Sequence, residues 1–347
     1  MDFISRRTIE RVLVLAGLAS VWGCGGSTTP PKDPELVADP PLGTDEGVAA
    51  SASQNDYQRA LAYIDKEHWA EAKLLLTKAL NASPDNAEAH AYMGLILERE
   101  NDVAGAEKSY RTALDLKPGL AAAATNLTAI YLSSNPPKTD EAIALLKRSL
   151  EKAPGDPGML QNLGYALSTK GDFDGAAKAY EGAIAKGDSV ELRFAYASAL
   201  FDAKQFEKAV PHLKKVAEGT KDTKDDHRML LTLGRMFGFG KAFGDCVSVY
   251  DRALKLKADD AESLVLRGMC KHELKDEAGA LSDYEQSIKV KPDFAAGYYH
   301  MGLAQMALRK PQSAEFSMTK AVELAKDPQL NKAAKEQLRK IRAENKH

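Results

Sequence analysis

The sequence predicts an all-α solenoid: about eight stacked helix-turn-helix units closed by one further helix. Three observations predict it. Gly94, Ala106, Tyr110, Ala113 and Pro118, spaced by 12, 4, 3 and 5 residues, form a skeleton that recurs along most of the chain. The period is 34 residues, as from Pro84 to Pro118, the size of a unit that buries its apolar face only against neighbouring copies. The composition is 44% apolar but only 7% aromatic, and alanine is abundant, as many closely packed helices require.

In chain order, Arg6, Arg7 and Arg11 precede an apolar run from Val12 to Trp22, and Gly23-Cys24 follows. A short apolar run behind positive charges is an export signal rather than a spanning helix, so residues 1–23 are expected to be a signal peptide. No later run reaches the 18 apolar residues a membrane helix needs. Residues 24–52 contain Pro30-Pro31, Pro34 and Pro40-Pro41 and too few apolar side chains to bury. They read as a flexible tether with a reach of roughly 30 Å.

Residues 53–326 carry the repeats, with units starting near 53, 87, 121, 157, 190, 227, 261 and 295. Each reads as two amphipathic helices, A and B. Counting within a unit so that the small residue of helix A is position 8, that position holds Ala60, Gly94, Thr128, Gly164, Ala197, Gly234, Gly268 and Gly302. Small residues at positions 8 and 20 are expected where helices A and B approach, and Tyr or Leu at position 24 is expected to fill the gap between units. Proline just past helix B ends the unit, since it cannot continue a helix and restricts the residue before it. The third unit has two extra residues, in the turn around Pro136-Pro137, and the fifth ends in a long polar loop, Gly219 to Asp226. In residues 327–347 the stripe Leu330, Ala334, Leu338 and Ile341 marks a capping helix with one polar face.

This skeleton resembles the tetratricopeptide repeat family over about Ser53 to Lys326. The resemblance implies a right-handed superhelix whose concave face comes from helix A, and a non-enzymatic role in holding a protein or peptide. Positions 2, 5, 9 and 12 share one face of helix A. They are bland in the first four units and larger in the last four. Phe194, Phe201, Arg228, Arg235, Met269, Tyr299 and Met306, with Phe239 added from position 13, are therefore the expected partner groove. The Lys and Asn with which some family members clamp a terminal carboxylate are absent: Tyr57 and Leu61, Ala91 and Leu95, Thr125 and Ala129 stand there.

Val21-Trp22-Gly23-Cys24 resembles a bacterial lipoprotein signal, which implies acylation of Cys24 and anchoring on a membrane. Gly25 in place of an aspartate leans toward the outer membrane, facing the periplasm. The alternative is a secreted protein or an uncleaved anchor. Together, anchor, tether and solenoid resemble lipoproteins that assist secretin and pilus, β-barrel or peptidoglycan machinery. A subunit of a gliding-motility or secretion complex, using the convex face, is the alternative role.

A net charge of −2 argues against nucleic acid as a partner. Nucleophile, zinc and phosphate-loop motifs are absent, the seven histidines are scattered, and no cofactor, metal or catalytic residue is expected. The Lys221–His227 run lacks the alternating ligands of a calcium loop and reads as a solvated loop. Cys246 and Cys270 read as small core residues that adjacent units could also bring together as a disulfide.

Overall fold

The computed structural model describes residues 46–344, with side chains from 54 onward. The signal peptide, Cys24 and the tether up to residue 45 lie outside the described residues. Seventeen α-helices and no strand are present among the described residues. They are α1 (Glu46–Asp65), α2 (Trp69–Ala82), α3 (Ala87–Arg99), α4 (Val103–Leu116), α5 (Ala121–Ser133), α6 (Thr139–Lys152), α7 (Pro157–Lys170), α8 (Phe173–Lys186) and α9 (Val190–Asp202), followed by α10 (Phe206–Gly219), α11 (His227–Phe239), α12 (Phe243–Leu256), α13 (Ala261–Glu273), α14 (Glu277–Val290), α15 (Ala295–Ala307), α16 (Pro311–Leu324) and α17 (Pro328–Glu344). Odd numbers are the A helices and even numbers the B helices. The chain divides into two compact units, one ending at Ala195 and one starting at Tyr196, and each is described by itself.

One correction concerns the start. Helix α1 begins at Glu46, so residues 46–52, read as the end of the tether, are helical. No proline follows Pro41 before the repeats, and Ala49, Ala50 and Ala52 are strong helix formers.

The chain leaves each helix for stated local reasons. Ser83, Lys117, Ala153 and Lys291 precede Pro84, Pro118, Pro154 and Pro292, and their φ values of −136, −137, −131 and −133° are extended rather than helical. The proline ring excludes the helical region for the residue before it, so helix B stops there. Between helices A and B the chain reverses through one left-handed residue: Glu67, Asn101, Lys204, Lys241, Lys275, Arg309, or Gly171 in the fourth unit. The next residue caps helix B. Asp102, Asp172 and Asp276 each accept a hydrogen bond of 2.9 Å from a glycine amide three residues on.

The small position 8 has a more specific partner than expected. A Cβ on Gly94 would lie 2.7 Å from the Tyr110 ring, on Gly164 2.8 Å from Tyr180, on Gly234 2.5 Å from Tyr250 and on Gly268 2.6 Å from Tyr284. Position 24 therefore packs into the notch left by position 8 of its own unit, instead of filling a gap between units. On Gly302 the Cβ would meet Met318 at 3.0 Å. Where position 8 carries a side chain, as Ala60, Thr128 and Ala197, position 24 is the narrower Leu76, Leu146 or Leu213. All six of these are buried. The two positions vary together because their combined volume is fixed by close packing.

The long loop after α10 is not merely solvated. Arg252 of α12 donates to the carbonyls of Ala217 and Thr220 at 2.7 and 2.6 Å and to Asp222 at 2.7 Å. A guanidinium presents donors in a fixed fork, so one side chain holds the last turn of α10 and two points of the loop.

Candidate partner groove

The expected groove residues do not form one surface. Phe194 is 8% exposed, and around it Leu192, Ala195, Tyr196, Ala197, Ala199 and Leu200 are buried as well. Helix α9 is buried nearly all round, so Phe194 is core and offers no face to a partner.

Phe201, Phe206 and Phe239 form a second group. Phe201 and Phe239 stand edge to face at 5.3 Å, and Phe206 lies 4.7 Å from Phe201 and 5.6 Å from Phe239. These are the C-terminal ends of α9 and α11 and the start of α10, so the cluster sits at the A-to-B turns. Phe239 is 44% exposed. Phe206 escaped the helix A pattern because it belongs to helix B.

Arg228 is exposed on α11. Arg235, two turns further along the same face, is ion-paired with Glu262 in the first turn of α13. Its charge is spent on the neighbouring repeat, which leaves less for a ligand. Met269 is half-buried and packs on Val265, Tyr284 and Met301. Tyr299 and Met306 pack against the core that α16 and α17 build from Met318, Leu338 and Ile341. The capping helix thus takes up the last two groove positions.

One cleft does open between α13 and α15. It measures about 720 Å³ and is lined by Asp259, Glu262, Val265, Met269, Phe294 and His300, among others. The His300 ring stacks on Tyr284 at 5.8 Å and meets Tyr299 edge-on at 5.2 Å. Burial, helped by the positive charge of His272, holds its pKa down to about 4. The imidazole is therefore neutral near pH 7. Its unfolded-state value is 6.5, so its contribution is intact above that and turns against folding as pH falls from 6.5 toward about 4.

Cys270 of α13, a helix that lines this cleft, forms a disulfide with Cys246 of α12, their Cα atoms 6.3 Å apart. The same pair of repeats shares an ionic network. Asp283 of α14, 4% exposed, accepts from Arg267 at 2.6 and 2.9 Å and pairs with Lys271 at 2.9 Å, while Arg267 also reaches Asp251 of α12 at 2.7 Å. Among the described residues no group of three or more His, Cys, Asp or Glu could hold a metal ion. No helix of the described residues is long and apolar enough to cross a membrane.

Family models described as tetratricopeptide repeat match residues 57–121, 162–223, 261–294 and 295–328, together more than half of the chain. The chain belongs to the tetratricopeptide repeat family. Among solved structures, the C-terminal part of a tetratricopeptide repeat protein from Cytophaga hutchinsonii has a TM-score of 0.52 at 16% identity, over 69% of this chain and 97% of that one. PilF of Pseudomonas aeruginosa gives 0.47 at 18%, over 72% and 96%. Yeast Tom70 gives 0.47 at 13%, over 98% and 72%. At these identities the likeness concerns the fold. No curated protein matches the chain. Tetratricopeptide repeat proteins are generally non-enzymatic scaffolds, and a scaffold for contacts between proteins is the coarse function that the repeats suggest for this chain.

Proposed function

We propose that the protein is an envelope-anchored scaffold, held on a membrane through acylated Cys24 and assisting assembly or stability of an envelope complex such as a secretin, β-barrel or peptidoglycan machine. The observation that carries this reading is the order of parts. A lipoprotein-type leader ending at Gly23-Cys24 precedes a Pro-rich stretch and then a repeat fold built for binding proteins. The Cys246–Cys270 disulfide supports it, because such bonds persist in oxidising compartments. The outer membrane is the proposed site, on the residue after Cys24.

The test is metabolic labelling of the full chain with an alkyne palmitate, followed by separation of inner and outer membranes. Label and outer-membrane density should both be lost in Cys24→Ala. An unlabelled wild type recovered in the soluble fraction would overturn the anchor.

A second reading has its own observation. Leu74 and Phe316, both at position 22 of helix B, are 60% and 61% exposed. A convex contact within a gliding-motility or secretion complex would use one or the other, each within its own compact unit. Crosslinking to the partner should then fail in Leu74→Ser/Phe316→Ser and survive Arg228→Glu/Phe239→Ser, whereas the groove reading expects the reverse.

A further inference from the structure

Helix α17 closes the last repeat with Ala334, Leu338 and Ile341, and these three are buried. Its outer face is a row of cations. Lys332, Lys335 and Arg339, with Lys326 just before the helix, line a shallow trough of about 500 Å³ together with Pro328, Asn331 and Glu336. All four cations are exposed. Nearby, Lys320 pairs with Glu323 and Arg342 with Glu315, whereas Lys326, Lys332, Lys335 and Arg339 have no ion pair among the described residues.

The fold does not account for them. Lys332 and Lys335 lie in the N-terminal half of α17, where the helix dipole gives a cation no stabilisation. Like charges three and four residues apart also repel one another, and Glu336 is the one acid lining the trough with them. What such a row does match is a ligand with carboxylates at similar pitch.

We propose that this trough docks an extended acidic segment of a protein partner, its carboxylates on alternate residues facing Lys332, Lys335 and Arg339. Along the axis of α17 these side chains start about 4.5 and 6 Å apart. Alternate residues of an extended strand are about 6.6 Å apart on one side, a difference that long flexible cations absorb. Glu336 on the trough's rim sets register by repelling a misplaced carboxylate. A membrane surface fits less well, because the face offers no large apolar side chain for insertion. The site is distinct from the helix A groove and does not depend on it.

The test is fluorescence anisotropy of the full chain in detergent with a labelled heptapeptide of alternating Glu and Leu. Binding should weaken at least about tenfold in Lys332→Glu/Lys335→Glu/Arg339→Glu and with the Gln-for-Glu peptide, and should fall steeply with salt. Lys147→Glu/Arg148→Glu, exposed on α6, should bind as wild type. Circular dichroism melts verify that the triple variant folds, and Lys335→Gln/Arg339→Gln replaces it if it does not. Equal affinity of wild type and the α17 variant, or equal weakening in the α6 control, overturns the proposal. So does an α17 variant that keeps the peptide while losing the preference for phosphatidylglycerol over phosphatidylcholine vesicles.

Discussion

The two compact units use one repeat register but join their repeats differently. In the first, neighbouring repeats are bridged by exposed pairs, Lys73–Glu100 at 2.6 Å and Lys170–Asp140 at 2.7 Å, while Lys117–Glu88 at 2.6 Å ties the two helices of the second repeat together. Hydrogen bonds around Tyr110 add to them, its hydroxyl donating to the Glu98 carboxyl at 3.1 Å and accepting from Asn126 at 3.2 Å. In the second, one junction carries both a disulfide and a part-buried ionic network around Asp283. Repeat arrays gain stability from each unit and each interface almost separately. The difference therefore teaches where the array resists opening. The junction of the sixth and seventh repeats, which carries both, is expected to open last.

The largest expected effect tests that network. Asp283→Ala leaves Arg267 and Lys271 without their shared carboxylate and should cost about 3 kcal/mol, near the low end for a broken buried pair because both cations keep some access to water. Hydrogen exchange of the segments covering α12 to α14 should speed up, while that of α3 to α5 stays unchanged. Faster exchange throughout would show that the two units are not energetically separate.

Next is the disulfide. Its cysteines are 24 residues apart, and a loop of that size contributes about 3 kcal/mol in the chain-entropy account. Cys246→Ala/Cys270→Ala, or reduction, should lower protection in the same segments. Fluorescence of Trp69, which lies under the Arg99 guanidinium at 4.1 Å, should not respond, since it reports the first unit. A titration finding two free thiols besides Cys24 in the unreduced denatured chain would remove the bond from this account.

The third concerns what both units share. Gly94→Ala places a Cβ 2.7 Å from the Tyr110 ring and should cost about 1–3 kcal/mol. Gly94→Ala/Tyr110→Leu copies the pairing of Ala60 with Leu76 and should recover most of that loss. If the double variant is as unstable as the sum of both singles, the notch does not explain why these positions vary together.

The same residues explain how much was legible. A 34-residue period with Gly, Ala and Tyr at fixed places identifies the fold because each residue type answers a local steric demand. The groove was less legible, since helical spacing assigns a face but not what covers it. Helix α9 carries apolar side chains on most of its sides, so spacing could not tell that Phe194 turns inward. Tyr299 and Met306 are covered by α17, an element whose docking the register does not fix. The ion pair of Arg235 was not legible for a different reason. Its partner Glu262 lies 27 residues on, and Lys73 and Glu100 have the same separation. Scanning for opposite charges a little under one period apart would have found both pairs.

The smallest effect marks the lower limit of the comparison. Lys117→Met removes an exposed bridge to Glu88 whose two side chains keep 56% and 42% of their exposure. The loss should be under about 1 kcal/mol and should shrink further in high salt. The Lys117 partner holds the Glu88 carboxyl below its usual range, so the bridge fades as pH falls through that lowered value. Monitored by Trp69 fluorescence in urea, Lys117→Met and wild type should converge at acid pH. A loss as large as that of Asp283→Ala would mean that exposed bridges hold the first unit as firmly as the buried network holds the second.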